Sequence, residues 1–380
     1  MGKVYYVGNY VEDDKTEVYK SAVPARLKMR YVANAITEGG ESLTVYSLAL
    51  SNQRARSVNC RLSENLTVHH IFSFGKKNHL LKKLSEIFRN IQFLFFLLFT
   101  VKKEDTVLVY HTYSLLRILQ AAHTVKHFFW IAEIEELFAY AWKKPKLLEN
   151  EIHRLKLADG YLTVNHRIAD YFQDGQKPIL ISHGAYSAPE AQERRNTDGK
   201  IHVLYAGTVE TNKKGAFTAV ETAQYLSDAY FVHILGFGNA ENVQKLNARI
   251  DEINREASVP RVAYHGTRYG QALTDFMFQC DIGLSSNIME PDFANHTFPS
   301  KMITYAAHNL VIVTGYADIF PRSDIASMLH YYYEYDPKAI AQAIMQIDMQ
   351  TIARNGNALV KDLHRTFVSD LKKIIKQENL

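Results

Sequence analysis

The chain has 380 residues, of which 47% are hydrophobic and 22% are charged, and its formal net charge is +4. This length exceeds the roughly 100 to 200 residues of a typical domain, so we predict two domains. The small net charge argues against a nucleic-acid partner. Cys60 and Cys280 lack the CxxC spacing and neighbouring histidines of a zinc site, which predicts no metal site and a cytoplasmic location. The opening MGKVYYVGNY is typical of a strand and a glycine turn rather than a signal peptide.

The first half of the chain alternates β-like runs with segments of helical spacing. The runs are KVYYVG, SLTVYSL, LTVHHIFSF, TVLVYH, HFFWIAEI, GYLTV and PILIS. Alternation of this kind predicts a doubly wound, parallel α/β sheet. We therefore predict a Rossmann-like N-terminal domain over residues 1–185 and, because the next segment is polar and aperiodic, a linker over 186–199.

Residues 76–103, KKNHLLKKLSEIFRNIQFLFFLLFTVKK, place an apolar run between basic clusters. The run is shorter than the roughly 20 residues that span a bilayer. A buried helix is one interpretation. The other is an interfacial helix that binds an anionic membrane surface and holds the protein on the inner face of the cell membrane. The basic residues are Lys76, Lys77, Lys82, Lys83, Arg89, Lys102 and Lys103, against the acid Glu86.

The second half continues the alternation, with β-like runs IHVLYAGTV, FVHILGFGN, RVAYHGT, CDIGLSSN and LVIVTG. We predict a second Rossmann-like domain over 200–360 and a C-terminal helix over 361–380 that can pack back on the first domain. Pro299 is expected to open a helix whose first turn carries Ser300 and Lys301.

Ligands of such sheets bind beyond the carboxyl ends of the strands, where glycine loops and helix N-termini suit phosphate. Gly207, Gly236 and Gly238 fall at those ends. The backbone N–H groups expected in the turns after Gly207 and before Met302 would also suit a phosphate group. Other interpretations stay open. A glycine that ends a strand commonly forms a tight turn, and a lysine pair in a loop is commonly solvated.

Together these residues resemble nucleotide-sugar glycosyltransferases of the GT-B fold, and within that fold the bacterial family 4 type that builds capsular and exopolysaccharide repeat units. The resemblance rests on the AGTV loop with its lysine pair, the LGFGN strand end, ISHGA, and FPSKMITYAAHNLVIVTG. SAVPARLKMRYVANAITEGG is similar to the family's first helix, and HRLKLADGYLTVNHRI to its last N-domain strand. The resemblance covers nearly the whole chain and implies two Rossmann-like domains that face a cleft.

The resemblance implies a site for a nucleotide diphosphate sugar, for example a UDP sugar. Its donor-binding residues would be Gly207, Thr208, Lys213, Lys214, Gly236, Gly238, His265, Asn287, Ser300, Lys301 and Thr304. The chain departs from the family in two places. The loop GTVETNKKG has no arginine, and Thr304 stands where the family often has a glutamate that binds the ribose, a contact that a hydroxyl replaces only in part. His265 is equally well explained as a packed histidine.

The acceptor side is expected in the first domain. His111 follows one β-like run, and Glu133, Glu135 and Glu136 follow or end the next. We predict Glu135, Glu136 and His111 as catalytic residues and Asn9 as an acceptor contact, although solvated acids at a helix start are ordinary. The chain has no Asp-x-Asp sequence, so we expect metal-independent transfer without a cofactor beyond the donor. The resemblance implies retention of the anomeric configuration.

The predicted function is transfer of a sugar to a hydroxyl of a lipid-linked oligosaccharide. A non-catalytic partner of the same fold is an alternative, suggested by Thr304 and the missing arginine. An oxidoreductase is a weaker alternative, because Gly236-Phe237-Gly238 begins a dinucleotide loop but Glu241 occupies the position of the third glycine.

Overall fold

The computed structural model describes residues 2–19, 21–173, 176–192, 198–211, 214–286 and 291–378. The chain forms two compact units. The first comprises Met1–Ala185, His296–Phe298 and Arg365–Leu380, and the second comprises Tyr186–Asn295 and Pro299–His364. Each unit is built on one β-sheet with helices.

The first sheet has eight strands in the order β3-β4-β2-β1-β5-β6-β7-β8. Its strands are β1 (Val4–Gly8), β2 (Leu43–Ser47), β3 (Val58–Arg61), β4 (Leu66–His70), β5 (Thr106–Tyr110), β6 (Phe129–Ile134), β7 (Gly160–Thr163) and β8 (Ile179–Ile181). Neighbouring strands are parallel, except that β3 runs antiparallel to β4. Tyr110 lies opposite Glu133, so the ends of β5 and β6 lie side by side.

The second sheet has six parallel strands in the order β11-β10-β9-β12-β13-β14. They are β9 (Ile201–Ala206), β10 (Tyr230–Leu235), β11 (Val262–Tyr264), β12 (Ile282–Ser285), β13 (Val311–Gly315) and β14 (Leu329–Tyr332). The order changes direction at β9 and β12, which are neighbours although β9 is followed in the chain by β10. Ligands of doubly wound sheets bind at such a switch point.

The helices surround the sheets. They are α1 (Val23–Glu38), α2 (His79–Phe95), α3 (Leu116–Lys126), α4 (Phe138–Ala141), α5 (Leu148–Leu155), α6 (His166–Ala169), α7 (Gly215–Ala223), α8 (Ala240–Glu256), α9 (Gly270–Met277), α10 (Pro291–Asn295), α11 (Lys301–Ala307), α12 (Pro337–Met345) and α13 (Gly356–Ile375). Within the described ranges, no helix combines the length and the apolar character needed to cross a membrane.

The predicted doubly wound α/β fold is confirmed, because each predicted β-like run contains a strand. The strands are rich in Val, Ile and Leu and are buried on both faces, as parallel strands covered by helices require. Two strands were not predicted. β3 is an exposed antiparallel edge strand with only one aliphatic residue, and β14 follows two short 3₁₀ turns that hide its pattern.

Helix α13 begins at Gly356, before the predicted start at residue 361. Its last part belongs to the first unit. There the Phe367 ring stacks on Tyr31 at 5.2 Å, and the Thr106 hydroxyl donates to the carbonyl of Ile375.

Candidate functional site

The carboxyl edge of the second sheet brings Gly207 and Lys301 together. Gly207 directly follows β9, and Lys301 is the first residue of α11. A Cβ atom at Gly207 would lie 3.0 Å from Lys301 Nζ and 2.8 Å from the Tyr205 hydroxyl. The Lys301 ammonium lies 4.2 Å from the centre of the Tyr205 ring. The loop after β9 therefore has a cation packed directly against its first glycine, which places positive charge where a diphosphate would bind.

Tyr305 fixes the spacing of this edge. Its ring is fully buried, the N–H of Ala206 donates to its hydroxyl at 2.8 Å, and the hydroxyl donates to the carbonyl of Leu284 at 3.3 Å. Gly283 has no room for a side chain, because a Cβ would lie 2.3 Å from the Tyr305 ring. The ends of β9 and β12 are thus bridged by one side chain of α11. Sequence reasoning missed Tyr305, although it lies one helical turn after Lys301.

Gly236 and Gly238 hold the loop that contains Gly207. Gly236 has φ +149°, and a Cβ there would lie 1.6 Å from the carbonyl oxygen of Gly207. A Cβ at Gly238 would lie 2.5 Å from the carbonyl oxygen of Val209. Glycine is favoured at positions where two backbone segments approach each other this closely. The structure gives both glycines this packing role, and their contact with a donor stays a prediction.

Helix α11 begins later than predicted. Pro299 lies outside it, and Ser300 is the residue before its first turn. The reason is a tight turn, in which the Met302 N–H donates to the Pro299 carbonyl at 2.9 Å. In the loop after Gly207, the Val209 N–H already donates to Phe237 at 2.8 Å. These two N–H groups are already hydrogen-bonded within the fold. The predicted anion site therefore depends more on the Lys301 ammonium than on these backbone groups.

The other predicted donor residues lie at varied positions. Thr208 follows Gly207, and its carbonyl accepts a hydrogen bond from the Tyr205 hydroxyl at 3.2 Å. Lys214 is exposed, with left-handed backbone at φ 53°, directly before α7. The Thr304 hydroxyl lies 3.5 Å from the carbonyl of Ser300 in the first turn of α11. Lys213 and Asn287 lie outside the described residues.

His265 belongs to a row of histidines across the second sheet. His265 Nε2 lies 2.9 Å from His233 Nδ1, and His233 Nε2 lies 2.6 Å from His202 Nδ1. Burial lowers the pKa of His233 to about 3 and also lowers the pKa of His265. The row is therefore neutral at these two rings. This contact supports the interpretation of His265 as a packed histidine.

The carboxyl edge of the first sheet gathers the predicted acidic residues. Glu133 is fully buried on β6, and the hydroxyl of Tyr6 on β1 donates to its Oε2. Burial, together with the charge of nearby Glu135, raises the pKa of Glu133 to about 8. Burial also raises the pKa of Glu136. Within the described part of the chain, Glu133 Oε1 has no hydrogen-bond partner.

Lys28 balances the charge of Glu135. Its ammonium is buried and lies 3.2 Å from Glu135 Oε1. It also donates to the hydroxyl and carbonyl of Ser182 at 2.9 and 3.0 Å, and to the carbonyl of Gly184 at 3.2 Å. Helix α1 is thereby joined to the ISHGA segment after β8. Both segments are part of the family resemblance described above, but Lys28 was not predicted as a site residue.

His111 is oriented by a residue that sequence reasoning missed. His111 Nε2 lies 2.6 Å from Glu151 Oε1 on α5, and both side chains are buried. Glu151 also accepts hydrogen bonds from the N–H groups of Phe138 and Ala139 at 2.9 and 3.0 Å. Glu151 follows a lysine-rich turn and reads as a surface residue in the sequence. Asn9 is exposed directly after β1.

One further cluster could hold a metal by its donor set. Ligand atoms of Glu12, Cys60 and His70 lie within 4.8 Å of one another. However, the Lys15 ammonium lies 2.9 Å from Glu12 Oε1 and 2.8 Å from Cys60 Sγ. The lysine supplies the positive charge at this position, so we interpret the cluster as an internal ion cluster.

The chain is similar to known proteins in structure but not in sequence. No protein-family model matches the chain, and no curated protein matches it in sequence. Solved structures do match. A sucrose-phosphate synthase from Thermosynechococcus elongatus is similar with a TM-score of 0.69 at 13% identity, over 99% of this chain and 98% of that chain. The chain has the GT-B fold.

Two further GT-B structures match over the same shares, 99% of this chain and 98% of theirs. A trehalose-6-phosphate protein from E. coli bound with UDP-2-fluoro glucose has a TM-score of 0.65 at 10% identity. A UDP-forming trehalose-phosphate synthase from Burkholderia xenovorans in complex with glucose-6-phosphate has the same TM-score and identity. At this level of identity the likeness concerns the fold. The predicted GT-B fold is thus confirmed, while the narrower resemblance to family 4 stays a prediction.

Proposed function

We propose that the protein is a glycosyltransferase that uses a nucleotide diphosphate sugar. The observation that carries the proposal is the position of Lys301 beside Gly207, at the switch point of the second sheet in a GT-B chain. The similar structures include one bound with UDP-2-fluoro glucose and others that are UDP-forming. We extend this donor class, with UDP as the first candidate, to the present chain.

Lys301 would act on the leaving group. When the bond between the anomeric carbon and the diphosphate breaks, negative charge grows on the diphosphate oxygens. A lysine placed there before the reaction stabilises this charge, and the effect is largest in a site of low dielectric constant. The half-buried Lys301 beside the Tyr205 ring meets this requirement. Lys214, and Lys213 beside it in the sequence, would supply further charge, and no step of this transfer requires a metal.

The first unit would bind the acceptor. Glu133 is protonated at neutral pH because its pKa is about 8, so its carboxyl group can donate as well as accept a hydrogen bond. Its side chain is buried, so an acceptor hydroxyl would contact the half-buried Glu135 and Glu136 that follow it in the sequence. Glu135, Glu136 and the oriented His111 would position that hydroxyl. A retaining reaction, as we propose, needs no separate strong base.

We propose a hydroxyl of a lipid-linked oligosaccharide as the acceptor, in the synthesis of capsular or exopolysaccharide repeat units, on the inner face of the cell membrane. A sugar phosphate is the competing acceptor class, because a similar trehalose-phosphate synthase structure contains glucose-6-phosphate. A non-catalytic partner protein is a second candidate, favoured by the hydroxyl of Thr304 in place of a carboxylate.

A transfer assay separates these candidates. Release of UDP or GDP is measured from UDP-glucose, UDP-galactose and GDP-mannose, with a polyprenyl-diphosphate oligosaccharide or glucose-6-phosphate as acceptor, with and without EDTA. We expect EDTA-resistant release that depends on the lipid-linked acceptor. Dependence on glucose-6-phosphate would replace the acceptor class. Absence of release with every pair would favour the non-catalytic partner.

A further inference from the structure

The outer face of α2 is apolar and exposed to solvent. Seven large apolar side chains on α2 and the π-helical turn that follows it, Phe96–Thr100, are between 38% and 76% exposed. They recur every three or four residues and so share one side of the helix. They are Leu80, Leu84, Ile87, Phe88, Ile91, Phe95 and Phe99. An apolar surface of this extent normally marks an interaction site.

The opposite side of the same helix is held firmly by the domain. Phe93, Phe96 and Leu97 are buried, and the Phe96 ring stacks on Tyr46 at 4.0 Å. The Gln92 side chain exchanges two hydrogen bonds of 3.0 Å with the backbone of Phe72. The buried-helix interpretation therefore describes one side of this segment, while the membrane-binding interpretation stays a prediction for the other side. One side is a core helix, and the other has no covering element among the described residues.

Basic side chains flank the apolar face. Lys77, Lys82, Lys83, Lys102 and Lys103 are exposed, and within the described part of the chain none of them forms an ion pair. Arg89 was predicted to be one of the basic residues that face the membrane, but it is half-buried and donates a hydrogen bond to Asn90. Glu86 is the one acid within residues 76–103, and Glu104 and Asp105 follow the segment. The face thus combines apolar side chains with an excess of positive charge.

The combination of apolar side chains and positive charge indicates which kind of partner can bind this face. A second copy that bound through the same face by two-fold symmetry would bring the two sets of lysines together, which is unfavourable. An anionic lipid surface complements the lysines with its headgroups and the apolar side chains with its acyl chains. We propose that this face binds anionic phospholipid membranes.

The face is open at its C-terminal end. Phe95 and Phe99, whose rings stack at 5.3 Å, also line a cavity of about 940 Å³ next to Tyr5 and Tyr46. Lipid groups that reach Phe99 can therefore contact the cavity walls as well. Phe99, the most exposed of the apolar side chains at 76%, is the expected centre of contact.

Vesicle flotation with the full chain tests the proposal. Vesicles of phosphatidylcholine alone are compared with vesicles that also contain phosphatidylglycerol, at low and high salt. We expect binding to the anionic vesicles that weakens at high salt. Combined substitution of Ile87→Ser, Phe95→Ser and Phe99→Ser should weaken that binding by about tenfold or more, because the apolar contact is lost. Lys82→Gln with Lys83→Gln should reduce the salt dependence, because two of the five exposed lysines are lost.

Matched controls lie on the same unit. Val125→Ser removes an apolar side chain that is 68% exposed, and Lys144→Gln with Lys146→Gln removes two exposed lysines. These variants should bind vesicles like the parent chain. Absence of vesicle binding by the parent would overturn the proposal. So would equal losses in test and control variants, or a stable dimer of the parent that the serine variant loses. The readout does not depend on glycosyl transfer, so the proposed activity can fail without affecting it.

Discussion

At the carboxyl edge of the first sheet several ionisable side chains are buried or half-buried and paired, whereas at that of the second sheet a lysine lies against a glycine. Glu135 is balanced by Lys28, and His111 by Glu151. The second edge instead places Lys301 over the Tyr205 ring and next to Gly207. Side chains that are already paired with one another can orient a neutral hydroxyl, while a cation at a glycine loop suits a diphosphate. On this basis we propose that the two substrates bind different units.

The largest expected effect comes from Lys301→Ala. The substitution removes the cation at the second edge, so turnover should fall by roughly 100-fold, the range found when a group that stabilises developing negative charge is lost. The fold should remain, which circular dichroism and the melting temperature check. Lys245→Ala is the matched control, because Lys245 is exposed on α8 and, among the described residues, pairs with Glu241 on the same helix. Equal losses in both variants would contradict the assigned role.

Gly236→Ala should disturb the second edge through its backbone. The new Cβ would lie 1.6 Å from the Gly207 carbonyl, and alanine is strained at φ +149°. We expect a loss of roughly 2 kcal/mol in the free energy of unfolding of this unit, and weaker nucleotide binding. Gly266→Ala separates the two causes, because Gly266 has φ +68° with nothing within 4 Å of its Cβ position. It should cost less and leave nucleotide binding intact. A larger loss at Gly266 would disprove the contact as the cause.

A smaller effect is expected at the first edge. The folded pKa of Glu133 is about 8 against an ordinary 4.5, so the unfolded chain releases this proton first. The stabilising contribution is complete below pH 4.5 and is lost as the pH rises towards 8. Glu133→Gln, which keeps an acceptor for Tyr6, should flatten this part of the pH dependence. Relative to the parent, we expect the melting temperature of the variant to rise by about 2 °C or more between pH 5 and pH 9. Parallel pH profiles would show that Glu133 ionises normally.

The sequence was a good guide to the strands and to the strand-end residues. Buried parallel strands are short apolar runs, and His111, Glu133 and Gly207 follow or end such runs in the sequence. The carboxyl ends of parallel strands meet at one edge, so their proximity could be predicted from the topology.

The supporting residues could not be predicted in the same way. Tyr305 and Glu151 act through contacts between distant segments, and in the sequence they resemble an ordinary core tyrosine and an ordinary helix-surface acid. Their roles depend on which helix packs over which strand. The exposure of α2 has the same origin, because an apolar run does not reveal which of its sides the sheet covers.

The most direct test of the central claim is a calorimetric titration of UDP, GDP and NAD into the parent chain and the Lys301→Ala variant. We predict that at least one nucleoside diphosphate binds the parent, that its affinity falls by about tenfold or more in the variant, and that NAD does not bind. Binding of NAD alone, or equal affinity of both chains for the nucleoside diphosphate, would contradict the assignment of the second edge as a diphosphate site.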